Sequence, residues 1–242
     1  GGLAGWVVAA SWWAAPLEGL DRVYPSLDAL YQELHRNPEL SLQEEKTAAT
    51  LAARMRAIGY EVTEGVGGHG VVAVLRNGAG PVVMLRTDLD ALPVREQTAL
   101  PFASSVTAKN EAGETVPVMH ACGHDAHMAS WVGAATLLAE RKKDWRGTVV
   151  FIGQPAEEVV RGARAMVADG LMERFPKPDY GRGPHVMNAL PAGAVGMIPG
   201  PASAASNAVT ITFFGKGGHG AAPHLTVDPL LIAARTVVTL QT

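Results

Sequence analysis

Three short β-branched runs, the later ones separated by helix-forming stretches, restrict this chain to few architectures. Val71 to Leu75 (VVAVL) lies between Gly70 and Asn77-Gly78, Pro81 to Leu85 reads PVVML, and Gly147 to Ile152 reads GTVVFI. Runs of this length, punctuated by Gly, Asn and Pro, are buried strands. Helical stretches follow at His127 to Arg141 and at Arg161 to Ala168, before Gly170. Strands alternating with helices predict an α/β layered domain with a largely parallel sheet.

Ahead of the strands, Ser26 to His35 reads as a helix with Ser26 as its N-cap, stopped by Asn37-Pro38. Ser41-Leu42-Gln43-Glu44 has the form of a capping box, and Ala48, Leu51, Ala52 and Met55 behind it fall on one helical face that Gly59 ends. Past Pro199-Gly200-Pro201 the character changes. Ala208 to Phe214 (AVTITFF) alternates like a strand, a glycine-rich stretch follows, and a helix runs from Pro229 to Leu240. This tail reads as the first strand and helix of a second α+β unit, so the sequence is expected to be truncated. At the other end, Trp6 to Pro16 (WVVAASWWAAP) has the length of a signal-peptide apolar region without a basic segment before it. Residues 1–20 therefore read as a signal-peptide remnant, and the location as either cytoplasmic or periplasmic/secreted.

Hydrophobic residues make up 48% of the chain and charged residues 18%, with 20 Lys+Arg against 23 Asp+Glu and no long run of one sign. Nothing resembles the basic footprint of a nucleic-acid binder, and the apolar runs are too short for a membrane span. Cys122 is the single cysteine, so an internal disulfide is excluded.

Histidines and acids gather at the predicted strand ends, where open α/β sheets place their sites. His120-Ala121-Cys122-Gly123-His124-Asp125-Ala126-His127 packs three imidazoles, a thiol and a carboxylate into eight residues. Thiolate and imidazole are the donors a zinc-like ion prefers, and Gly123 allows a tight turn that aims both at one point. The plainer alternative is a buried Cys beside surface histidines. Glu157-Glu158 directly follows the strand GTVVFIGQ and its Pro-Ala. One carboxylate there could bind metal while the other moves protons, or the pair could simply be solvated. Asp88, after PVVML, could orient a ligand histidine or merely pair with Arg86. His185 lies in a Gly- and Pro-rich stretch, where a lone histidine is by itself a surface residue; in Gly217-Gly218-His219-Gly220 the glycines could let His219 approach a ligand closely or could form a hairpin turn.

Taken in order, LHRNPELSLQE (34–44), LRTDLDALPV (85–94), LPFAS (100–104), VMHACGHDAHMA (118–129), GQPAEE (153–158), GARAMVADGL (162–171) and GKGGHGAAPH (215–224) resemble the M20 metallopeptidase family. The likeness is to its amidohydrolase branch of hippurate hydrolases, aminoacylase-like enzymes and auxin-conjugate hydrolases. The resemblance implies a phosphorylase/hydrolase-like mixed sheet flanked by helices, of the zinc-exopeptidase type, over residues 21–202. It also implies the start of an α+β ferredoxin-like lid over 203–242.

By the same resemblance Cys122, His124, Glu158 and His185 are ligands of two divalent metal ions, zinc, manganese or cobalt. Glu157 is the general base that activates water and passes its proton to the leaving amine. His219 steadies the oxyanion from the lid of a partner subunit. Asp88, read from its position after the strand as an orienting carboxylate, is grouped with Glu157 and His219 as catalytic. The implied substrate is a small N-acyl amino acid or related amide, and the implied assembly a homodimer through the lid. With the family's last histidine ligand absent, the chain alone is expected to bind metal weakly and turn over poorly. A cysteine amidase with Cys122 as nucleophile and His120 or His124 as base, and a non-catalytic fragment, stand as the competing readings.

Overall fold

The structure, a computed structural model, describes residues 18–201 and 209–241. These fall into two compact units, one within Ala9–Val195 and one within Gly196–Thr242.

The larger unit is a mixed sheet between helices. Strands β1 (Glu61–Val66), β2 (Gly70–Asn77), β3 (Val82–Asp88), β6 (Gly147–Gln154) and β7 (Tyr180–Arg182) stand in the order β1-β2-β6-β3-β7. The β1–β2 and β2–β6 pairs are antiparallel, whereas β6–β3 and β3–β7 are parallel. The largely parallel sheet expected from strand–helix alternation is therefore only half so, because β1 and β2 form a hairpin that the periodicity of β2 alone does not reveal.

Side-chain alternation builds two cores. Val71, Ala73 and Leu75 of β2 and Val149 and Phe151 of β6 face helices α1 (Leu20–Arg36), α2 (Glu45–Ala57) and α3 (His124–Glu140). Val72, Val74, Val150 and Ile152 face the other way, against Met166 and Leu171 of the short helices α4 (Gly162–Ala168) and α5 (Leu171–Arg174). Period-two alternation with both faces apolar is what a sheet covered on both sides requires. Leu30, Leu51, Met55 and Phe151 are fully buried, each worth roughly 1.5–3 kcal/mol of transfer free energy. Two aromatic side chains in this core have their polar tips satisfied: the Tyr60 hydroxyl donates to Ala135 O at 3.0 Å and Trp131 Nε1 donates to Leu85 O at 3.2 Å.

Two helix starts differ from expectation. α1 begins at Leu20, with Pro25 and Ser26 inside it, and the Ser26 hydroxyl donates back to Val23 O at 2.9 Å. Ser26 is thus not an N-cap. Ser41–Glu44 is not a capping box either. The Glu39 carboxylate caps α2, accepting from Lys46 N at 3.2 Å and Thr47 N at 2.8 Å, while Ser41 and Glu44 turn elsewhere. A hairpin of β4 (Thr107–Lys109) and β5 (Thr115–Pro117) covers a small core of Leu40, Ala91 and Val118.

The smaller unit contains helix α6 (Pro229–Leu240), capped by Asp228, whose Oδ1 accepts from Leu230 N at 2.8 Å. Val209–Phe214 is not a strand. An alternating run needs a neighbour for its backbone groups, and no described residue pairs with this one. Residues 1–17, including the apolar run from Trp6, lie outside the described residues. Among the described residues no helix is long and apolar enough to cross a membrane.

Candidate metal centre

The parallel β3–β6 register sets Asp88 opposite Gln154, so both strands end level and their following loops meet. Into the same place comes the start of α3. Gly123 there has φ +80°, and a Cβ on it would lie 2.5 Å from Val186 Cγ2. That residue turns the chain between Cys122 and His124 where an L side chain would strain.

Backbone carbonyls select the free nitrogens. His124 Nδ1 donates to Asp90 O at 2.7 Å, and His185 Nδ1 donates to Val186 O at 2.6 Å, so Nε2 is the open nitrogen of each ring. His185 Nε2 lies 3.4 Å from Cys122 Sγ. His124 Nε2 lies 3.7 Å from Glu158 Oε1 and 3.9 Å from Glu157 Oε2. Cys122, His124 and His185 offer donor atoms within 4.8 Å of one another, and so do His124, Glu157 and Glu158. The structure thus brings together five of the residues singled out in the sequence.

His127 differs. Its Nδ1 donates to Asp88 Oδ1 at 2.7 Å and its Nε2 accepts from Val186 N at 2.9 Å, which leaves no lone pair for an ion. Asp88 therefore orients His127, and its Oδ2 also accepts from Arg86 Nη1 at 2.7 Å and lies 3.4 Å from His124 Nε2. Asp88 pairs with Arg86, as one sequence reading had it, and the histidine it orients is His127, which is not one of the expected ligands.

Charge is unevenly spread. Burial pushes the Asp88 carboxyl up, but the His127 hydrogen bond and the charges of His124 and Arg86 outweigh it and hold the group at about 2. Burial and the adjacent Glu158 and Glu157 push the Cys122 thiol up to about 12. Such surroundings oppose the free thiolate a cysteine nucleophile needs. His120, one of that reading's bases, is buried with both ring nitrogens unpartnered among the described residues. Burial raises Glu158, whereas Asp90 and Asp88 raise His124 against the effect of its burial.

His124 Nε2 and Glu158 Oε1 are buried and have no hydrogen-bond partner among the described residues. Buried polar atoms left unpaired cost free energy, and these two face each other across 3.7 Å. A cation between them satisfies both, and thiol, imidazole and carboxylate are its natural donors. His219 belongs to the smaller unit, in an exposed loop where its Nδ1 accepts from Ala221 N at 3.1 Å.

Three further buried residues, given no role in the sequence reading, lie at or behind this site. Asp90 takes Ser41 Oγ (2.6 Å) and Glu158 N (2.9 Å) on Oδ2. Glu44 accepts from Ala156 N at 2.7 Å. His35 bridges Asp125 (2.6 Å) and Glu96 (2.9 Å) behind α3. Only the spacing of Asp90, two residues beyond Asp88 in extended chain, gave a local signal.

Fold and donor set define the class: an α/β protein with a candidate metal-binding cluster at its strand ends. Residues 84–241 match the model of peptidase family M20/M25/M40, and the chain belongs to that family. It is 40% identical over 224 residues to the putative amidohydrolase YhaA of Bacillus subtilis, covering 92% of this chain and 54% of that protein. It is 38% identical over 224 residues to the N-acyl-L-amino acid amidohydrolase of Geobacillus stearothermophilus, covering 92% and 57%. The solved YXEP protein of Bacillus subtilis, described as a dinuclear metal binding peptidase of the M20 family, superimposes with a TM-score of 0.62 at 38% identity, over 71% of this chain and 45% of that one. The chain spans about half the length of the curated relatives it matches.

Proposed function

We propose that this chain is the metal-binding part of a hydrolase that cleaves the amide bond of N-acyl amino acids or related conjugates. The observation that carries the reading is the unpaired couple His124 Nε2 and Glu158 Oε1, flanked by Cys122 and His185. The names of the Bacillus and Geobacillus relatives support the amide class.

Cys122, His124, Glu158 and His185 would hold two divalent ions; thiolate with imidazole favours zinc, and manganese or cobalt also suit the set. Bound there, such ions supply Lewis acidity and acidify water. Glu157, neighbour to a ligand yet more open to solvent than Glu158, takes the proton of the attacking water and delivers it to the leaving amine. Asp88 keeps His127 and the wall of the site in place. In this proposal residues 21–202 form the catalytic domain and 203–242 the beginning of a lid that pairs two subunits, from which His219 would donate to the developing oxyanion.

The test is metal analysis together with hydrolysis of N-acetyl, N-benzoyl and indole-acetyl amino acids. Turnover is expected to vanish on chelation and return with added metal. Glu157→Gln should lower kcat by roughly 10²-fold or more while bound metal is retained. Activity that survives chelation but not thiol alkylation would transfer the reaction to Cys122.

A further inference from the structure

We infer that Glu44 is a positioning residue for the acidic pair Glu157–Glu158, acting as one jaw of a clamp whose other jaw is Asp90 held by Ser41; this rests on the metal reading of Glu158. Glu44 Oε1 accepts from Ala156 N at 2.7 Å, and Asp90 Oδ2 accepts from Glu158 N at 2.9 Å. The backbone is thus gripped on both sides of Glu157. Both carboxylates are fully buried. Ser41 Oγ donates to the same Asp90 oxygen at 2.6 Å, so the turn at Ser41–Glu44 reaches both jaws.

The gripped segment is under strain. Ala156 is buried in a left-handed conformation with φ 48°, and Leu42, between Ser41 and Glu44, has φ 69°. Such residues persist only where the surroundings over-determine them. The surroundings here are specific. Ala156 O accepts from Arg161 N and from Gly162 N, each at 3.1 Å, and a Cβ on Gly162 would lie 1.5 Å from Pro155 O. The loop is closed on itself and hung from Glu44, 112 residues earlier in the chain. Nothing on α2 needs Glu44 as a cap, since Glu39 supplies that. Glu44 Oε1 acts here only as an acceptor from a backbone N–H, a role the carbonyl oxygen of a glutamine can take.

The experiment is cobalt titration of the 242-residue chain followed by visible absorption, in which the thiolate-to-cobalt band reports Cys122. Glu44→Gln should bind cobalt like the unchanged protein. Glu44→Ala should bind roughly ten- to a hundredfold more weakly while keeping the thiolate band. Met55→Ala, a core truncation far from the loop, should lower the melting temperature but leave cobalt affinity as it was. Ser41→Ala, a milder change, should weaken binding in the same direction and serves if Glu44→Ala does not fold. Glu158→Ala should weaken binding outright. If Glu158→Ala binds as tightly as the unchanged protein, the metal reading itself is wrong. If Glu158→Ala is weakened but Glu44→Ala and Ser41→Ala are not, or if Met55→Ala is weakened equally, the clamp is overturned alone.

Discussion

His124 Nε2 and Glu158 Oε1 face each other 3.7 Å apart, both buried and neither with a hydrogen-bond partner among the described residues. The rest of the site is arranged around that gap. Carbonyls of Asp90 and Val186 hold the far nitrogens of the two open imidazoles.

Adding zinc or cobalt should therefore raise the melting temperature. At a hundred times the dissociation constant the gain is about 2.7 kcal/mol. A chelator should abolish it, and His124→Ala should show little of it. Identical melting curves with and without metal would remove the ion from this account.

Asp88→Asn should cost about 3 kcal/mol, because it leaves Arg86 and His127 without their buried anion. The folded carboxyl sits at about 2 against an ordinary 3.8, so its contribution is present above pH 3.8 and is lost as pH falls toward 2. Urea unfolding at pH 7 and pH 3 checks both statements: the gap between the two proteins should be narrower at pH 3.

His120 and His35 should give opposite pH dependences in the presence of chelator. Burial lowers His120 from 6.5 to about 4, so the folded chain binds fewer protons than the unfolded one between those values. Its effect is to lower stability as pH drops from 6.5 toward 4, by up to about 3 kcal/mol at about 1.4 kcal/mol per unit. His120→Leu should flatten that acid limb. For His35, burial lowers the pKa, but the hydrogen bonds of Glu96 and Asp125 outweigh it and raise the group. Its contribution is full below 6.5 and lost as pH rises through the raised value. His35→Gln should cost about 3 kcal/mol at pH 6 and progressively less above it. Thermal melts from pH 4 to pH 9 separate the two limbs, and a shared slope for both variants would contradict the assignment.

Gly162→Ala should destabilise by at least about 2 kcal/mol, since the new methyl would meet Pro155 O at 1.5 Å. A neutral result in urea unfolding would mean that the loop after β6 yields easily.

Strands β2, β3 and β6 were legible because both of their faces meet apolar layers, which leaves a continuous hydrophobic run in the chain. Helix α6 was legible from Asp228-Pro229 and its apolar stretch. β1 (EVTEGV) was not, because it is an edge strand with Glu61 and Glu64 exposed. β7 owes its pairing to β3 and not to the composition of Tyr180–Arg182. The donor types of the site could be read locally from thiol, imidazole and acid at strand ends. The contacts that aim them could not, since Glu44 to Ala156 and His124 to Asp90 span 112 and 34 residues. Ser41 shows the difficulty in one side chain: its sequence context suits a helix start, yet a distant carboxylate claims its hydroxyl.

The pairing of β3 with β6 joins segments about sixty residues apart, and the donors from Cys122 to His185 gather only at their ends. Long loops must close before any such contact can form, so in the metal-binding proposal an ion is expected to find its seat late on the folding route and not to nucleate it. Refolding should accordingly proceed at the same speed with or without zinc, while zinc slows only the reverse reaction. Stopped-flow measurements in both directions would show this asymmetry.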